Sequence, residues 1–191
     1  MKIEEMYPYY QMRHENATKE LKRRLYEVVT SFREAADRIP EDPIYQAIAF
    51  HESNDESSTM EFYVENNSVE YLLGDEITGK VEMDDVLSLV HQFEDFINSE
   101  YKCNVYLWRF EWDVVDNAVN LVFISQITEE EVNSLGQDKT NEERCYGLLQ
   151  RKASCFVFDL REVLSEEGVE TDDEGRGADA QLVITLYIYF V

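Results

Sequence analysis

A histidine and two carboxylates are spaced so that they could bind one metal ion. His91, Glu94 and Asp95 lie at positions i, i+3 and i+4 of a segment with helical periodicity, which would place them on one helix face. Imidazole and carboxylate groups are the nitrogen and oxygen ligands of Zn²⁺ in proteins. Charged residues also cover ordinary solvated helix faces. We favour the solvated face, and we expect the chain to need no metal and no cofactor.

No catalytic motif stands out. Asp84, Asp85, Glu100 and Lys102 are residue types found in metal-dependent nuclease sites. Such sites hold the E-x-K pair on a strand, whereas here it falls at the end of a helical segment. Cys155 lies in the apolar segment Ser-Cys-Phe-Val-Phe, which is typical of a buried core thiol. The chain has only three histidines to serve as bases, so we expect a protein that is not an enzyme.

The charge of the chain is strongly negative and unevenly distributed. Its 191 residues include 17 Lys and Arg and 41 Asp and Glu, a formal net charge of −24 at pH 7. Residues 1–38 carry eight basic and seven acidic side chains, so the excess lies in residues 39–191. Such a surface repels nucleic acid and anionic membranes and attracts cations. This excludes direct nucleic-acid binding and favours a basic protein partner.

No segment predicts export or membrane insertion. The first ten residues are acidic and aromatic, and the longest strongly apolar run, residues 181–191, is too short to span a bilayer. Three cysteines, Cys103, Cys145 and Cys155, form no C-x-x-C pair. An odd number of cysteines without a signal peptide is typical of a reducing compartment. We therefore expect a cytoplasmic protein with no membrane partner.

Two segments have the periodicity of long amphipathic helices. In the first, apolar residues from Leu21 to Ile39 recur at steps of three and four, with Asn16 as the expected N-cap and Pro40 as the stop. The second segment covers residues 84–101 and has its own apolar stripe. The first stripe is expected to pack on the sheet or on a second copy of the chain, which would form a homodimer through this helix.

Residues 59–73 predict a β-hairpin. Polar and apolar residues alternate on either side of Asn66-Asn67, whose side chains tolerate the positive φ of a two-residue turn. This register places Phe62 opposite Tyr71 on the core face and sends the glutamates to the other face. An earlier strand is predicted at residues 44–51.

A second hairpin is predicted about Asp116-Asn117. Its register would set Trp112 opposite Leu121, and the alternation from residue 106 onward is unbroken. A row of aromatic residues on one strand face could stack nucleic-acid bases, but the intervening side chains are acidic, so the core face of a sheet is favoured. The predicted core row is Tyr106, Trp108, Phe110, Trp112 and Val114.

Two more helices are predicted by their starting signals. Thr128 and Glu131 match a capping box, in which each residue satisfies a free backbone N–H of the other. Thr140 and Glu143 repeat the pattern and open a helix that is expected to end near Lys152.

The C-terminal segment alternates between apolar and acidic stretches. Residues 153–160 and 182–191 are apolar and rich in aromatic or β-branched side chains, which predicts two strands. The second stretch is apolar on both faces and is expected in the middle of a sheet. Between them, residues 165–179 have little to bury and are predicted to form a mobile acidic loop.

Together these elements predict an α+β fold in a single domain, residues 1–191. We expect one mostly antiparallel sheet of about five to seven strands, with the two long amphipathic helices packed on one face. Residues 1–40 would form the N-terminal helix of near-neutral charge, and residues 41–191 the acidic, sheet-containing body. The second sheet face is then left to solvent.

Acidic side chains recur on the polar face of the predicted strands. Same-face residues on a strand are about 6.6 Å apart, close to the phosphate spacing along one nucleic-acid strand. Carboxylates at this interval can imitate a phosphate backbone. We predict two groups of partner-binding residues and favour the first, because a rigid surface loses less entropy on binding. The sheet group is Glu61, Glu65, Glu70, Glu111 and Asp113, and the C-terminal group is Glu166, Glu167, Glu170, Asp172, Asp173 and Glu174.

The sequence thus predicts an acidic binding protein that inhibits a basic nucleic-acid-handling protein, such as a nuclease, by occupying its nucleic-acid groove. Anti-restriction and anti-CRISPR proteins of viruses and mobile elements act in this way, and the analogy here rests on charge. A cytosolic interaction or assembly protein with a basic partner unrelated to nucleic acid fits the same charge. An enzyme of unrecognised type is the third alternative.

Overall fold

Four helices and seven strands form an α+β fold in the residues that the structure describes, as predicted. The structure is a computed structural model that describes residues 3–38, 59–65, 68–73, 76–113, 115–135, 142–175 and 179–190. The helices are α1 (Ile3–Ala36), α2 (Asp84–Tyr101), α3 (Glu129–Ser134) and α4 (Glu142–Leu164). The strands are β1 (Thr59–Glu65), β2 (Ser68–Leu73), β3 (Glu76–Val81), β4 (Val105–Asp113), β5 (Ala118–Gln126), β6 (Val169–Glu174) and β7 (Gln181–Tyr189).

The strands form one antiparallel sheet in the order β3-β2-β1-β4-β5-β7-β6. The long helices α1, α2 and α4 contact one another and cover one face, the inner face, where the apolar residues of the strands are buried. The opposite face, the outer face, carries the alternate residues of each strand. The strand predicted at residues 44–51 lies outside the described residues.

Helix α1 packs its predicted stripe into the core. Leu21, Leu25 and Phe32 have no exposed surface, and the Phe32 ring stacks on Phe110 at 4.2 Å between centroids. The stripe is therefore occupied inside the chain, and a homodimer would need another surface. The predicted N-cap at Asn16 is wrong, because the helix begins at Ile3.

Contacts with the other helices involve the residues of α1 just before the predicted N-cap. Arg13 pairs with Glu100 of α2, with 3.3 Å between Nε and Oε1. His14 contacts Asp159 and Glu162 of α4. These long-range contacts stabilise helical turns that local sequence signals do not specify.

The predicted register of the first hairpin is confirmed in its ladder. Phe62 lies opposite Tyr71, and Val64 lies opposite Val69. The turn residues themselves, 66–67, lie outside the described residues. Helix α2 also has the predicted bounds, and Thr128 and Glu131 form the predicted capping box at the start of α3.

The predicted register of the second hairpin is wrong by two residues. Trp112 lies opposite Val119, and β4 ends at Asp113 opposite Ala118. The Asp113 carboxylate accepts hydrogen bonds from the backbone N–H groups of Val115 and Asp116, both at 3.0 Å. The Asp113 side chain therefore closes a local turn, and this turn replaces the predicted two-residue turn. A shift of two residues leaves each side chain on its original face.

A β-bulge in β4 moves two aromatic residues from the predicted core row to the outer face. Leu107 lies opposite Phe123, but the next pair is Arg109 with Val122, so Trp108 is the extra residue. Before the bulge Leu107 points into the core, whereas Tyr106 and Trp108 are only half-buried. The prediction that Tyr106 and Trp108 face the core is wrong, because the alternation changes phase at the bulge.

Residues 153–160 belong to helix α4, so the predicted strand is wrong. The buried residues of this helix recur at helical spacing, and Ser154 and Phe158 are exposed between them. Cys155 is also exposed, so the predicted core thiol is wrong too. The buried stripe is Cys145, Leu149, Ala153, Phe156 and Leu160.

The predicted acidic loop at residues 165–179 contains a 3-10 turn and an edge strand. A 3-10 turn, Glu166–Gly168, leads into β6, which pairs along its length with β7. Charged residues are suited to an edge strand because they oppose pairing with other chains. Strand β7 lies between β5 and β6, as predicted for a strand in the middle of a sheet.

Candidate binding surface on the outer face

The outer face of the sheet is rich in carboxylates. The strands are hydrogen-bonded in one ladder from β2 and β1 through β4, β5 and β7 to β6, so acidic residues from four strands share this face. No described helix packs over it. The described acidic residues of this face are Glu61, Glu70, Glu111, Asp113, Glu170, Asp172 and Glu174, and its described basic residues are Lys80 and Arg109.

Arg109 lies among the carboxylates of β1 and β4. Its Nη2 is 2.7 Å from Glu111 Oε1, and its guanidinium lies 4.4 Å from the Trp108 ring centroid. Burial opposes the charge of Arg109, but Glu111 and Glu61 outweigh it and raise the pKa of the guanidinium. The Tyr63 hydroxyl donates to Glu61 at 2.6 Å. Arg109 therefore neutralises part of this end of the surface.

Tyr187 joins the two halves of the outer face. Burial and a hydrogen bond from its hydroxyl to Glu170 raise the pKa of Tyr187 to about 12. The charges of Glu111 and Asp172 contribute to this rise. Carboxylates from β4 and from β6 therefore act on one phenol, and the sheet group and C-terminal group meet in one electrostatic surface.

Most of the predicted sheet group lies on this surface. Glu61, Glu70 and Glu111 are half-buried there, and Glu70 pairs with Lys80 at 3.2 Å. Asp113 ends β4, and its carboxylate holds the following turn. The side chain of Glu65 lies outside what the structure describes.

The predicted C-terminal group is divided between two directions. Glu170, Asp172 and Glu174 point to the outer face, since they pair with the outward residues of β7. Asp173 points to the helix side, where it accepts a hydrogen bond from Gln150 of α4 at 3.2 Å. The remaining two, Glu166 and Glu167, are exposed in the 3-10 turn.

The His91 group does not converge on one point. His91 Nδ1 is 3.4 Å from Glu94 Oε2, but the other oxygen of Glu94 accepts the Leu107 backbone N–H at 2.8 Å. This hydrogen bond attaches α2 to β4. Asp95 is exposed and joins no close group of possible ligands among the described residues.

A histidine between two carboxylates was missed by the sequence analysis. His14 Nδ1 is 3.4 Å from Asp159 Oδ1, and His14 Nε2 is 3.0 Å from Glu162 Oε2. One metal ion would use a single ring nitrogen, whereas here each nitrogen faces its own carboxylate. This geometry fits a hydrogen-bonded link between α1 and α4. Only the i, i+3 spacing of Asp159 and Glu162 is visible in the sequence.

Asp159 also connects to the third long helix. The Tyr101 hydroxyl of α2 donates to Asp159 Oδ2 at 2.8 Å, and Asp159 is 6% exposed. Burial raises the pKa of Asp159, and the hydrogen bond from Tyr101 and the charge of His14 oppose this effect. Burial also raises the pKa of Tyr101 well above its ordinary value. The network links the three helices.

Replacing Asp159 with asparagine is expected to change how stability depends on pH. A carboxyl group with a raised pKa binds its proton more tightly in the folded chain, so its stabilising contribution is present at low pH and is lost as pH rises through the folded pKa. Relative to the parent, Asp159→Asn should therefore gain stability as pH rises above about 4, the ordinary pKa of an aspartate. Urea unfolding at several pH values measures this difference. A constant or decreasing difference would contradict the raised pKa.

Comparisons with known proteins give no relatives. No protein-family model, curated protein sequence or solved structure matches this chain. A search of the described helices finds none with the length and apolar character needed to cross a membrane.

Proposed function

We propose that this protein binds the basic, nucleic-acid-binding surface of another protein through its outer face and β6, and thereby keeps nucleic acid away. The observation that supports this most directly is that the sheet places Glu111 of β4 and Glu170 and Asp172 of β6 on one face, which no described helix covers. Carboxylates recur on several strands of this face and at every second residue of β6. Their spacing resembles that of phosphates along a nucleic acid. We place this activity in the cytoplasm, as in the analogous inhibitors of viruses and mobile elements.

The β6 end of the surface carries more uncompensated charge than the β1–β4 end. Among the described residues, no cation pairs with Glu170, Asp172 or Glu174. Glu111 is paired with Arg109, and Glu70 is paired with Lys80. Both ends belong to one hydrogen-bonded sheet, so rigidity no longer favours the sheet group. We therefore infer that the C-terminal group contributes more to binding.

Salt dependence and competition test the proposal. The partner is first identified by affinity capture from cells that produce the protein, and is then purified. Its affinity should fall steeply between about 50 and about 500 mM NaCl, because anions screen and compete for the partner's basic groove. A duplex oligonucleotide should compete with the protein for the partner. Affinity that is indifferent to salt would contradict the electrostatic proposal.

Charge-neutralised variants locate the surface. Changing the C-terminal group to Gln and Asn is expected to weaken binding by about 100-fold, and changing Glu61, Glu70 and Glu111 to Gln by about tenfold. A control neutralises six exposed acids away from the outer face and should bind within about threefold of the parent. These control residues are Glu34, Glu82, Asp84, Asp85, Glu129 and Glu130. Equal loss in all three variants would show a dependence on net charge without a defined surface.

The aromatic part of the outer face favours a second candidate, an assembly protein. Tyr63 and Trp108 lie edge to face at 5.6 Å, and Arg109 lies against both rings. Tyr, Trp and Arg are the residue types that dominate binding energy at protein interfaces. An assembly partner would bind through this patch and would not be displaced by the duplex oligonucleotide. The change Trp108→Ala would then weaken binding more than neutralising the C-terminal group.

A further inference from the structure

A cleft lies on the helix side of the sheet, next to β6. It has a volume of about 300 Å³ and opens between α4, the 3-10 turn and strands β6 and β7. Val157, Phe158 and Leu182 form its apolar wall, and Arg161 and Thr171 supply polar groups. Small-molecule sites are concave and mostly apolar, with a few polar groups that fix the orientation of the ligand. This cleft has such an apolar wall, its polar lining is Gln150, Ser154, Arg161, Glu166 and Thr171, and its volume is at the lower end of the usual size.

Arg161 differs from the other partly buried cations of the described residues. Arg24, Arg33, Arg109 and Lys152 each form an ion pair with a carboxylate at 2.6–2.8 Å. In the described part of the chain, the guanidinium of Arg161 has no such partner, and its buried Nε, like that of Arg33, has no hydrogen-bond acceptor. A buried donor without an acceptor costs free energy, so native proteins rarely leave one unexplained. Because no carboxylate of the described residues pairs with this cation, it is available for another anion.

The wall of the cleft indicates what kind of anion fits. Phe158 lines the cleft and is 66% exposed, so its ring offers apolar surface to a ligand bound there. A guanidinium binds a carboxylate through two parallel hydrogen bonds. Glu166 also lines the cleft, and the chain carries a net charge of −24, so a doubly charged phosphate ester is repelled more than a single carboxylate.

We propose that this cleft binds a small monocarboxylate with an apolar body. The carboxylate pairs with Arg161, and the apolar body packs against Val157, Phe158 and Leu182. This site is separate from the outer face and goes beyond the function proposed above. It requires no step of chemistry, only binding.

Hexanoate and hexanamide test the proposal as a matched pair. They have the same apolar chain, but only hexanoate carries the charge that Arg161 would bind. In a titration followed by two-dimensional NMR, hexanoate should saturate one site at concentrations up to about 10 mM. Hexanamide should bind about tenfold more weakly or not at all. Equal binding of the two compounds, or no binding of hexanoate, would overturn the proposal.

Two variants and a control locate the site. Arg161→Gln should weaken hexanoate binding by about tenfold or more, and the exposed Phe158→Ala by about threefold. Arg151→Gln removes an exposed charge from the same helix outside the cleft and should leave binding unchanged. If Arg161→Gln does not fold, the Phe158→Ala variant and the comparison of the two compounds still decide the question. Hexanoate binding that survives Arg161→Gln, or phosphate that binds through Arg161 more tightly than hexanoate, would overturn the proposal.

Discussion

Replacing Phe32 with alanine is expected to lower the free energy of unfolding by about 3–5 kcal/mol. The side chain is fully buried, stacks on Phe110 and meets Phe62 edge to face at 5.1 Å. The variant loses these contacts and gains a cavity between α1 and the centre of the sheet. Urea unfolding monitored by circular dichroism measures the change.

Tyr26 provides the control on the same helix. It is 43% exposed, so Tyr26→Ala should change the free energy of unfolding by less than about 1 kcal/mol. Similar stability of the Phe32→Ala variant and the parent would mean that α1 does not pack on the sheet in solution. Such a result would leave the helix available for another partner.

Replacing Phe156 with alanine is expected to destabilise the chain by a similar amount, about 3–5 kcal/mol. This residue of α4 has no exposed surface, and its ring lies 5.4 Å from Tyr101 and 6.3 Å from Phe123. It therefore joins α4 to both α2 and the sheet. Thermal and urea unfolding should agree on the loss.

A comparison with Phe158→Ala tests whether residues 153–160 form a helix or the strand that the sequence predicts. On a strand, residues 156 and 158 would share a face, whereas on a helix they point in nearly opposite directions. The change Phe158→Ala should therefore cost less than about 1 kcal/mol, since its side chain is 66% exposed. Equal destabilisation by the two substitutions would support the strand that the sequence predicts and contradict α4.

Local signals predicted the elements whose information lies within a few residues. The stripe of α2, the capping box of Thr128 and Glu131, and the pairing of Phe62 with Tyr71 were all recovered. The bulge at Trp108 could not be recovered, because it depends on how β4 pairs with β5 and not on its own alternation. The aromatic and β-branched composition of residues 153–160 favoured a strand. The spacing of the buried residues in this segment fits a helix.

The candidate site was predicted residue by residue but not as a surface. Glu111 and Glu170 were both proposed to bind a partner, yet only the placement of β7 between β5 and β6 brings their charges together at Tyr187. The acidic composition of residues 169–174 predicted a loop. These residues nevertheless form a strand, because an exposed edge strand need not be apolar. Arg161 was missed because its lack of a partner is a property of the folded chain.

The bulge in β4 gives the protein two tryptophans in opposite environments. Trp112 is buried beneath Arg33, whose guanidinium lies 4.7 Å from its ring, whereas Trp108 stands half-exposed beside Arg109 on the outer face. With the other indole replaced by phenylalanine, Trp112 reports by its fluorescence on the integrity of the core, and Trp108 reports on the arrival of a molecule at the outer face. The two emissions can therefore separate unfolding from binding in one chain without any attached label.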